Sequence, residues 1–387
     1  MRTNVSLSAC AVCLALGMIA VSPSAAKPPP IKINAASLSG GLTASDEKQI
    51  NARIVFWCET IAAAADQAGL QEARKGLLDD FRRYQSGNYR NTFAHRAAVL
   101  TPPVLDKLQG KDSLRRLKEI HLAIAVSKMS QRTIQPALDV LVAHRNPGVR
   151  LLGWRGYVTI RPQVLLKSSA VEAMFVSMAK HAKTESVPLV AGRVFEALHL
   201  PTAAAPGVEK DVHSKAQGQA LEILRTALQR QCARLAGGDA GFARPCDAAL
   251  SALQTYGRVY AGRRNIEDGI LQDIVDIASA AAKAYEQAAG KGPTAMTCAA
   301  LLIKSERVLG KTSGISERFL QKPLTNRKMS AEEKVPAVLL GIHNWIDRLK
   351  DRGVSKREFK TPKDTAGAAA ATKPATKPAT KPGESGG

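Results

Sequence analysis

The sequence predicts an all-α protein, built as an irregular α-solenoid of antiparallel helix pairs with disordered ends. Three observations lead to this class. Hydrophobic residues make up 45% of the 387 residues but aromatic residues only 4%, so the apolar content is mostly Ala, Leu and Val. Ala and Leu lose little side-chain freedom in a helix. Apolar residues recur at helical spacing, no stretch shows sustained two-residue alternation, and Pro and Gly separate the apolar segments.

The N-terminal segment has the organisation of a secretory signal peptide. Arg2 supplies a positive charge, residues 9–21 form an uninterrupted apolar run, and Ser22-Pro23 ends it before the small residues 24–26. We therefore expect residues 1–26 to be removed by cleavage just before Lys27. No later stretch reaches the about 18 apolar residues of a membrane span. The expected location is the periplasm or the exterior of a bacterium, with no integral membrane span after cleavage.

The two ends of the mature chain differ in composition from the body at 46–352. Residues 27–45 are rich in Pro, Ser and Gly, which predicts an extended leader. Residues 353–387 include three Ala-Thr-Lys-Pro repeats, and Pro disfavours helix at the residue before it. We expect this tail to be disordered. It is either a solvated linker end or a cationic arm that lies on an anionic polymer.

Helix signals follow one another along the body. Ser45 with two acidic residues opens the first helix, in which Ile50, Ile54 and Trp57 share a face. Breaks are predicted at Pro102-Pro103, 146–147, 201–207, 237–238, 290–293 and 323. Helices joined by short turns form antiparallel neighbours. The further predicted helices are 70–84, 112–127, 131–144, 147–160, 168–182, 186–199, 211–235, 244–260, 265–288, 294–309 and 331–351.

The middle of the chain contains an internal repeat. Pro147-x-Val149-Arg150-x-x-Gly153-x-x-Gly156-Tyr157 opens one helix, and about forty residues later Val190, Val194, Ala197 and Leu198 repeat its apolar spacing. A helix with its own apolar stripe precedes each of them. The first motif resembles the second helix of a HEAT repeat, with Gly153 and Gly156 in place of small Ala residues. The resemblance covers roughly 131–200, and it implies a curved scaffold that binds a protein or a polymer but names no substrate.

The positive charge belongs mainly to the body. Residues 354–387 contribute +4 and Arg2 +1 to the formal net charge of +22, which leaves +17 on the remainder. Such a charge attracts nucleic acid, anionic lipid surfaces or acidic cell-wall polymers. Aromatic residues do not interleave with the arginine pairs, so a base-stacking platform is not expected. The candidate binding residues are Arg82, Arg83, Arg115, Arg116, Arg150, Trp154, Arg155, Arg263 and Arg264.

Four cysteines, Cys58, Cys232, Cys246 and Cys298, remain after signal removal. An even number in an oxidising compartment permits two disulfides, with three possible connectivities. We favour Cys232–Cys246, expected in the turns that flank the glycines at 237–241. The alternative is that all four are buried free thiols.

The sequence offers little that supports catalysis. No two of the seven histidines have helical metal-ligand spacing, and there is no dinucleotide fingerprint, so we expect no metal and no cofactor. Gly310-Lys311-Thr312 lacks the first glycine of a phosphate-binding loop, because position 305 is Ser. Ser177-x-x-Lys180 matches the SxxK motif of serine enzymes that interact with penicillin, but no predicted strand supplies the Lys-Thr-Gly segment those enzymes need.

These observations favour an exported, non-enzymatic binding or scaffold protein whose basic helical surface contacts another envelope or secreted protein. The alternative is a protein that binds a polyanion such as a cell-wall polymer or nucleic acid. A serine hydrolase using Ser177 and Lys180 is a third and weaker hypothesis. The sequence gives neither the identity of the partner nor the oligomeric state.

Overall fold

A computed structural model describes residues 27–108 and 113–354 of the chain. Every regular element in those two ranges is helical, and they contain no strand, which confirms the predicted all-α class. The predicted signal peptide and residues 355–387 of the predicted tail lie outside the described residues. The helices are α1 (Ala35–Gly40), α2 (Ala44–Ala63), α3 (Gln67–Arg82), α4 (Gly87–Lys107), α5 (Ser113–Ser127), α6 (Gln135–Ala143), α7 (Pro147–Leu165), α8 (Ser168–Ala182), α9 (Pro188–Leu198), α10 (Lys210–Ala236), α11 (Ala243–Val259), α12 (Arg264–Gln287), α13 (Gly292–Ser313), α14 (Gln321–Thr325) and α15 (Ala331–Asp351).

The helices contact one another in an alternating order. From α2 onward, each even-numbered helix packs against the next even-numbered helix as far as α12, and each odd-numbered helix from α3 packs against the next odd-numbered one as far as α13. The two rows also contact each other, most extensively where α6 meets α7 and α12 meets α13. At the C-terminal end, α15 packs against α12 and α14. Buried Ala, Leu, Ile and Val side chains fill the space between the rows and form one continuous core.

One long helix crosses a predicted break. The sequence predicts a break at Pro102-Pro103 and no helix between 84 and 112, but α4 runs through both prolines. The two prolines remove the N–H groups that would bind the carbonyls of Ala98 and Val99. Since Val99 is 56% exposed, water can satisfy a carbonyl on this face. The break predicted at Pro323 is also wrong, because this residue lies within the short helix α14.

The predicted extended leader packs against the body. Ile31 and Ile33 are both buried, and α1 lies inside the segment that we expected to be extended. The guanidinium of Arg53 donates to the Pro29 carbonyl at 2.9 Å. The hydroxyl of Tyr84 accepts a hydrogen bond from the backbone N–H of Ile33 at 3.3 Å. Ile31 and Ile33 are two residues apart, a spacing that places both on one face of an extended segment. The Pro, Ser and Gly content of the segment favoured an exposed leader and hid this pattern.

Buried carboxylates connect neighbouring helices. Asp80 is 1% exposed and accepts two hydrogen bonds of 2.6 Å from Arg53, so that α3 is tied to α2. Glu306 is completely buried on α13 and accepts hydrogen bonds from the backbone N–H groups of Leu320 and Gln321, each at 2.7 Å. It also accepts one from the indole of Trp345 at 2.9 Å, which ties α15 to α13. A buried carboxylate is stable only when donors surround it in this way.

Two glycines allow α7 to approach α6 closely. A Cβ atom added to Gly156 would lie 2.3 Å from a methyl group of Leu138. A Cβ atom at Gly153 would lie 2.8 Å from a Val142 methyl group and 2.9 Å from the Val142 backbone nitrogen. The close packing therefore leaves no room for a side chain at Gly153, whereas at Gly156 the end of the Leu138 side chain would have to move.

We predict that Gly153→Ala lowers the free energy of unfolding by about 1–3 kcal/mol, because the new methyl group meets backbone that cannot move aside. Gly192→Ala is the matched control, since Gly192 is buried in α9 and has no neighbouring atom within 4 Å of an added Cβ. This control should gain about 0.5–1 kcal/mol from the better helix propensity of Ala. Urea unfolding of both variants measures the difference. Equal stabilities would contradict the close approach of α6 and α7.

Candidate binding groove

A groove lies in the even-numbered row of helices because α6 is shorter than its neighbours. Helix α6 has nine residues, whereas α4 has 21 and α8 has 15. The resulting groove has a volume of about 810 Å³. Its floor is α6 and its walls are the C-terminal turn of α4 and one face of α8. The lining residues are Leu105, Asp106, Asp139, Val140, Ala143, His144, Arg145, Ala173, Val176, Ser177, Lys180 and His181.

The wall formed by α8 exposes an aliphatic side chain. Val176 is 66% exposed, and it lies in the groove together with Val140, Ala143 and Ala173. A single exposed aliphatic residue is common on protein surfaces, but one that lines a concave site beside other apolar groups offers a contact surface. This part of the groove can hold an aliphatic side chain of a bound molecule.

A hydrogen-bonded cluster forms the polar end of the groove. The Ser177 hydroxyl donates to the Asp139 carboxylate at 2.7 Å. The hydroxyl of buried Tyr157, on α7, also donates to Asp139 and lies 3.0 Å from the Ser177 oxygen. Burial first, and then the charge of Asp139, raises the pKa of Tyr157. The phenol therefore stays protonated at neutral pH and keeps its donor role toward Asp139.

Both residues of the SxxK motif line the groove. The hydrogen-bond partners of the Ser177 hydroxyl are Asp139 and Tyr157, while Lys180 is exposed one helical turn further along α8. A lysine that activates a serine must accept its proton, which requires a hydrogen bond between the two side chains. The Ser177 hydroxyl instead donates its hydrogen bond to the Asp139 carboxylate.

Two histidines of the groove have lowered pKa values. Burial is the main cause for both; the charge of Lys180 adds to it at His181, and nearby Glu119 opposes it at His144. The Nδ1 atom of His144 accepts a hydrogen bond from the Asn146 backbone N–H at 3.1 Å, so its proton lies on Nε2 in the neutral form. Protonation of Nδ1 would remove this acceptor at the start of α7.

Two of the predicted binding arginines are engaged within the protein. Arg150 makes two hydrogen bonds, of 2.8 and 3.0 Å, with the carboxylate of Glu185. That carboxylate also accepts the backbone N–H of Val187 at the start of α9. Arg115 donates to Glu119 at 2.7 Å. Both arginines are mostly buried, so their visible role is to position helices α5, α7 and α9, and a contact of either with a partner stays a prediction.

Trp154 is completely buried in the core, so it cannot serve as a surface anchor. The remaining predicted arginines are exposed, but they are distributed over four helices, α3, α5, α7 and α12, and the residues next to them. Arg83 is paired with Asp80 at 3.1 Å, and Arg263 lies 5.5 Å from the centre of the Tyr260 ring. The exposed residues are Arg82, Arg83, Arg116, Arg155, Arg263 and Arg264.

The groove also contains four residues that were not predicted as site residues from the sequence: Asp139, His144, Val176 and His181. One signal could have found the first of these. Asp139 and Ser177 are 38 residues apart, close to the period of the internal repeat. In a repeat protein, residues one period apart occupy equivalent places on neighbouring units and lie side by side. A polar pair at that separation is therefore a candidate contact.

The described ranges contain no group of three or more His, Cys, Asp or Glu residues placed to hold a metal ion. Among the helices of those ranges, none is long and apolar enough to cross a membrane. Comparison with known proteins found no matching family, no similar curated protein and no similar solved structure.

We predict that acidification destabilises the protein in part through His144. Because its pKa lies below the ordinary value of 6.5 in the folded state, the unfolded chain binds the proton first as the pH falls. The free energy of unfolding is unaffected by this group above that value and decreases below it. His144→Gln, which does not titrate, should therefore reduce the drop in the unfolding midpoint between about pH 7.5 and about pH 5.

The control for this prediction is His95→Gln, at an exposed position of α4. This variant should keep the pH dependence of the unmodified protein, as measured by circular dichroism on heating. If His144→Gln and the unmodified protein show the same pH dependence, His144 does not contribute.

Proposed function

We propose that this protein is a non-enzymatic binding protein that holds a segment of a partner protein in the groove between α4 and α8. The observation that carries this proposal is the exposed Val176 beside Val140, within a concave site of about 810 Å³. A site of this volume accommodates a few side chains of a peptide. The Asp139–Ser177–Tyr157 cluster supports this role, because its internal hydrogen bonds keep the polar end of the groove fixed before a partner arrives.

Charge favours a partner segment with an acidic residue next to an aliphatic one. Lys180 and Arg145 are both exposed at the groove, and the body carries a net charge of +17. An aliphatic side chain against Val176 with a carboxylate over Lys180 would use both features. The carboxylate of Asp106 on the opposite wall disfavours a segment that is acidic throughout.

The scaffold that we propose is an α-solenoid with a HEAT-like middle. The alternating contacts of even- and odd-numbered helices support it, since repeat proteins stack equivalent helices in this order. The close α6–α7 packing at Gly153 supports the assignment of these helices to one HEAT-like pair. Antiparallel pairing and the curvature of the stack are part of the proposal.

The proposed location is the bacterial envelope or the exterior, on the basis of the signal-peptide pattern at residues 1–26. The partner is then another envelope or secreted protein. The second candidate function is binding of an anionic cell-wall polymer or nucleic acid. The exposed arginines on α3, α5, α7 and near α12 favour it, because polyanion binding depends on charge density more than on a defined pocket.

We predict that Val176→Asp weakens the binding of peptides that are selected for the groove. A displayed library of random peptides, selected against the purified protein, should yield sequences in which an aliphatic residue neighbours an acidic one. The charge introduced at position 176 removes the apolar contact and repels the acidic residue, so the enriched peptides should bind the variant at least about tenfold more weakly.

Val99→Asp is the matched control, because Val99 is an exposed valine of the same row that does not line the groove. This control should bind the enriched peptides as the unmodified protein does. Binding that survives high salt supports an apolar protein contact, whereas binding only of anionic polymer that is lost in high salt would move the assignment to a polyanion-binding protein. Equal binding by the two variants would exclude the groove.

A further inference from the structure

Three of the cysteines lie close together at the contact of α10, α11 and α13. Cys232 is on α10, Cys246 is on α11 and Cys298 is on α13. All three side chains are buried, with exposures of 3%, 0% and 0%. Cys232 and Cys246 lie within the helices, not in the flanking turns where we expected them. All four thiols are free in the structure. Helix α11 packs against both α10 and α13, and the Cys246 thiol is the first cause that raises the pKa of the Cys232 thiol.

We propose that Cys232 and Cys246 form the single disulfide among the four cysteines of the described residues, and that Cys58 and Cys298 remain thiols. Cys232 lies near the end of α10 and Cys246 near the start of α11, and these two helices pack against each other, so this is the pair of thiols that the fold brings together. The residues between them form one helix corner, which makes the closed loop short and local. This proposal is independent of the groove and of its partner.

The position of Cys58 limits the number of bonds to one. Cys58 is fully buried on α2, which packs against α3, α4 and α5. Every arrangement with two disulfides needs Cys58 to pair with a cysteine of α10, α11 or α13. The packing of α2 gives Cys58 no such neighbour. Burial also raises the pKa of the Cys58 thiol to about 12, so it is a poor nucleophile for exchange.

The bond forms by thiol–disulfide exchange with a small-molecule or protein disulfide. One cysteine thiolate attacks the oxidant and releases one thiol, and the second cysteine then displaces the other thiol from the mixed disulfide. Two protons and two electrons leave the cysteine pair, and the oxidant is reduced to two thiols. The neighbouring Cys246 thiol, and then burial, raise the pKa of Cys232. Burial also keeps an oxidant away, so we expect the exchange to occur before α10 and α11 have packed.

Peptide mapping tests the proposal directly on the unmodified protein. Trypsin cleaves after Lys and Arg except before Pro, and it places the four cysteines in four different peptides: 54–74, 231–234, 235–258 and 292–304. The mature chain is refolded from denaturant with oxidised and reduced glutathione, alkylated in denaturant, digested and analysed by mass spectrometry. We expect 231–234 joined to 235–258, with alkyl groups on Cys58 and Cys298. Alkylation of all four cysteines, or a bond that involves Cys58 or Cys298, would overturn the proposal.

Thermal unfolding provides a second measurement. A reductant should lower the unfolding midpoint of the refolded protein by several degrees, because the short loop is no longer closed in the unfolded chain. Cys232→Ala should have the same midpoint with and without reductant, whereas Cys58→Ala, the control for loss of a buried cysteine, should keep the response. A response that persists in Cys232→Ala would show that another pair carries the bond.

Discussion

Carboxylates held inside the protein by N–H donors connect its helices. Asp80, Glu119, Glu185 and Glu306 are each at most 5% exposed, and each binds groups on another helix or at the start of one. Such a group has no alternative partner in the core, and removal of one member of a buried ion pair costs about 3–5 kcal/mol. The apolar core supplies most of the cohesion, but Leu and Ala contacts alone would tolerate sliding of one helix along the next. The carboxylates fix the register in which the helices meet, and the groove depends on that register.

The sequence predicted the helices that have strong local signals. The start of α7 at Pro147 follows from Asn146, whose side chain caps the helix, and from the following Val149-Arg150. The N-terminal segment was missed because its order comes from distant contacts, such as the bond between Arg53 and the Pro29 carbonyl. Helix α4 was missed because a proline pair normally ends a helix, and here its cost is reduced by an exposed face. Contacts between residues far apart in the sequence explain the first case, and the exposure of one helix face explains the second.

The candidate site was less predictable than the fold. The exposure of the candidate binding residues was inferred from residue type alone. Arg150 instead pairs with the buried carboxylate of Glu185, and Trp154 is buried in the apolar core. The groove results from the length of α6, which a short turn of 3-10 helix at Arg132–Ile134 reduces below the range 131–144 expected from periodicity. The length of a helix depends on where it begins, and the spacing of apolar residues does not show the first residue of a helix.

The groove takes its floor and walls from three successive helices of the even-numbered row, α4, α6 and α8. Its width therefore depends on the tilt between these helices, and any bending of the row moves the α4 wall relative to the α8 wall. An occupant that touches both walls would resist such bending, and by linkage a force that bends the row would change the affinity for the occupant. The bending of the even-numbered row and the occupancy of the groove are therefore coupled.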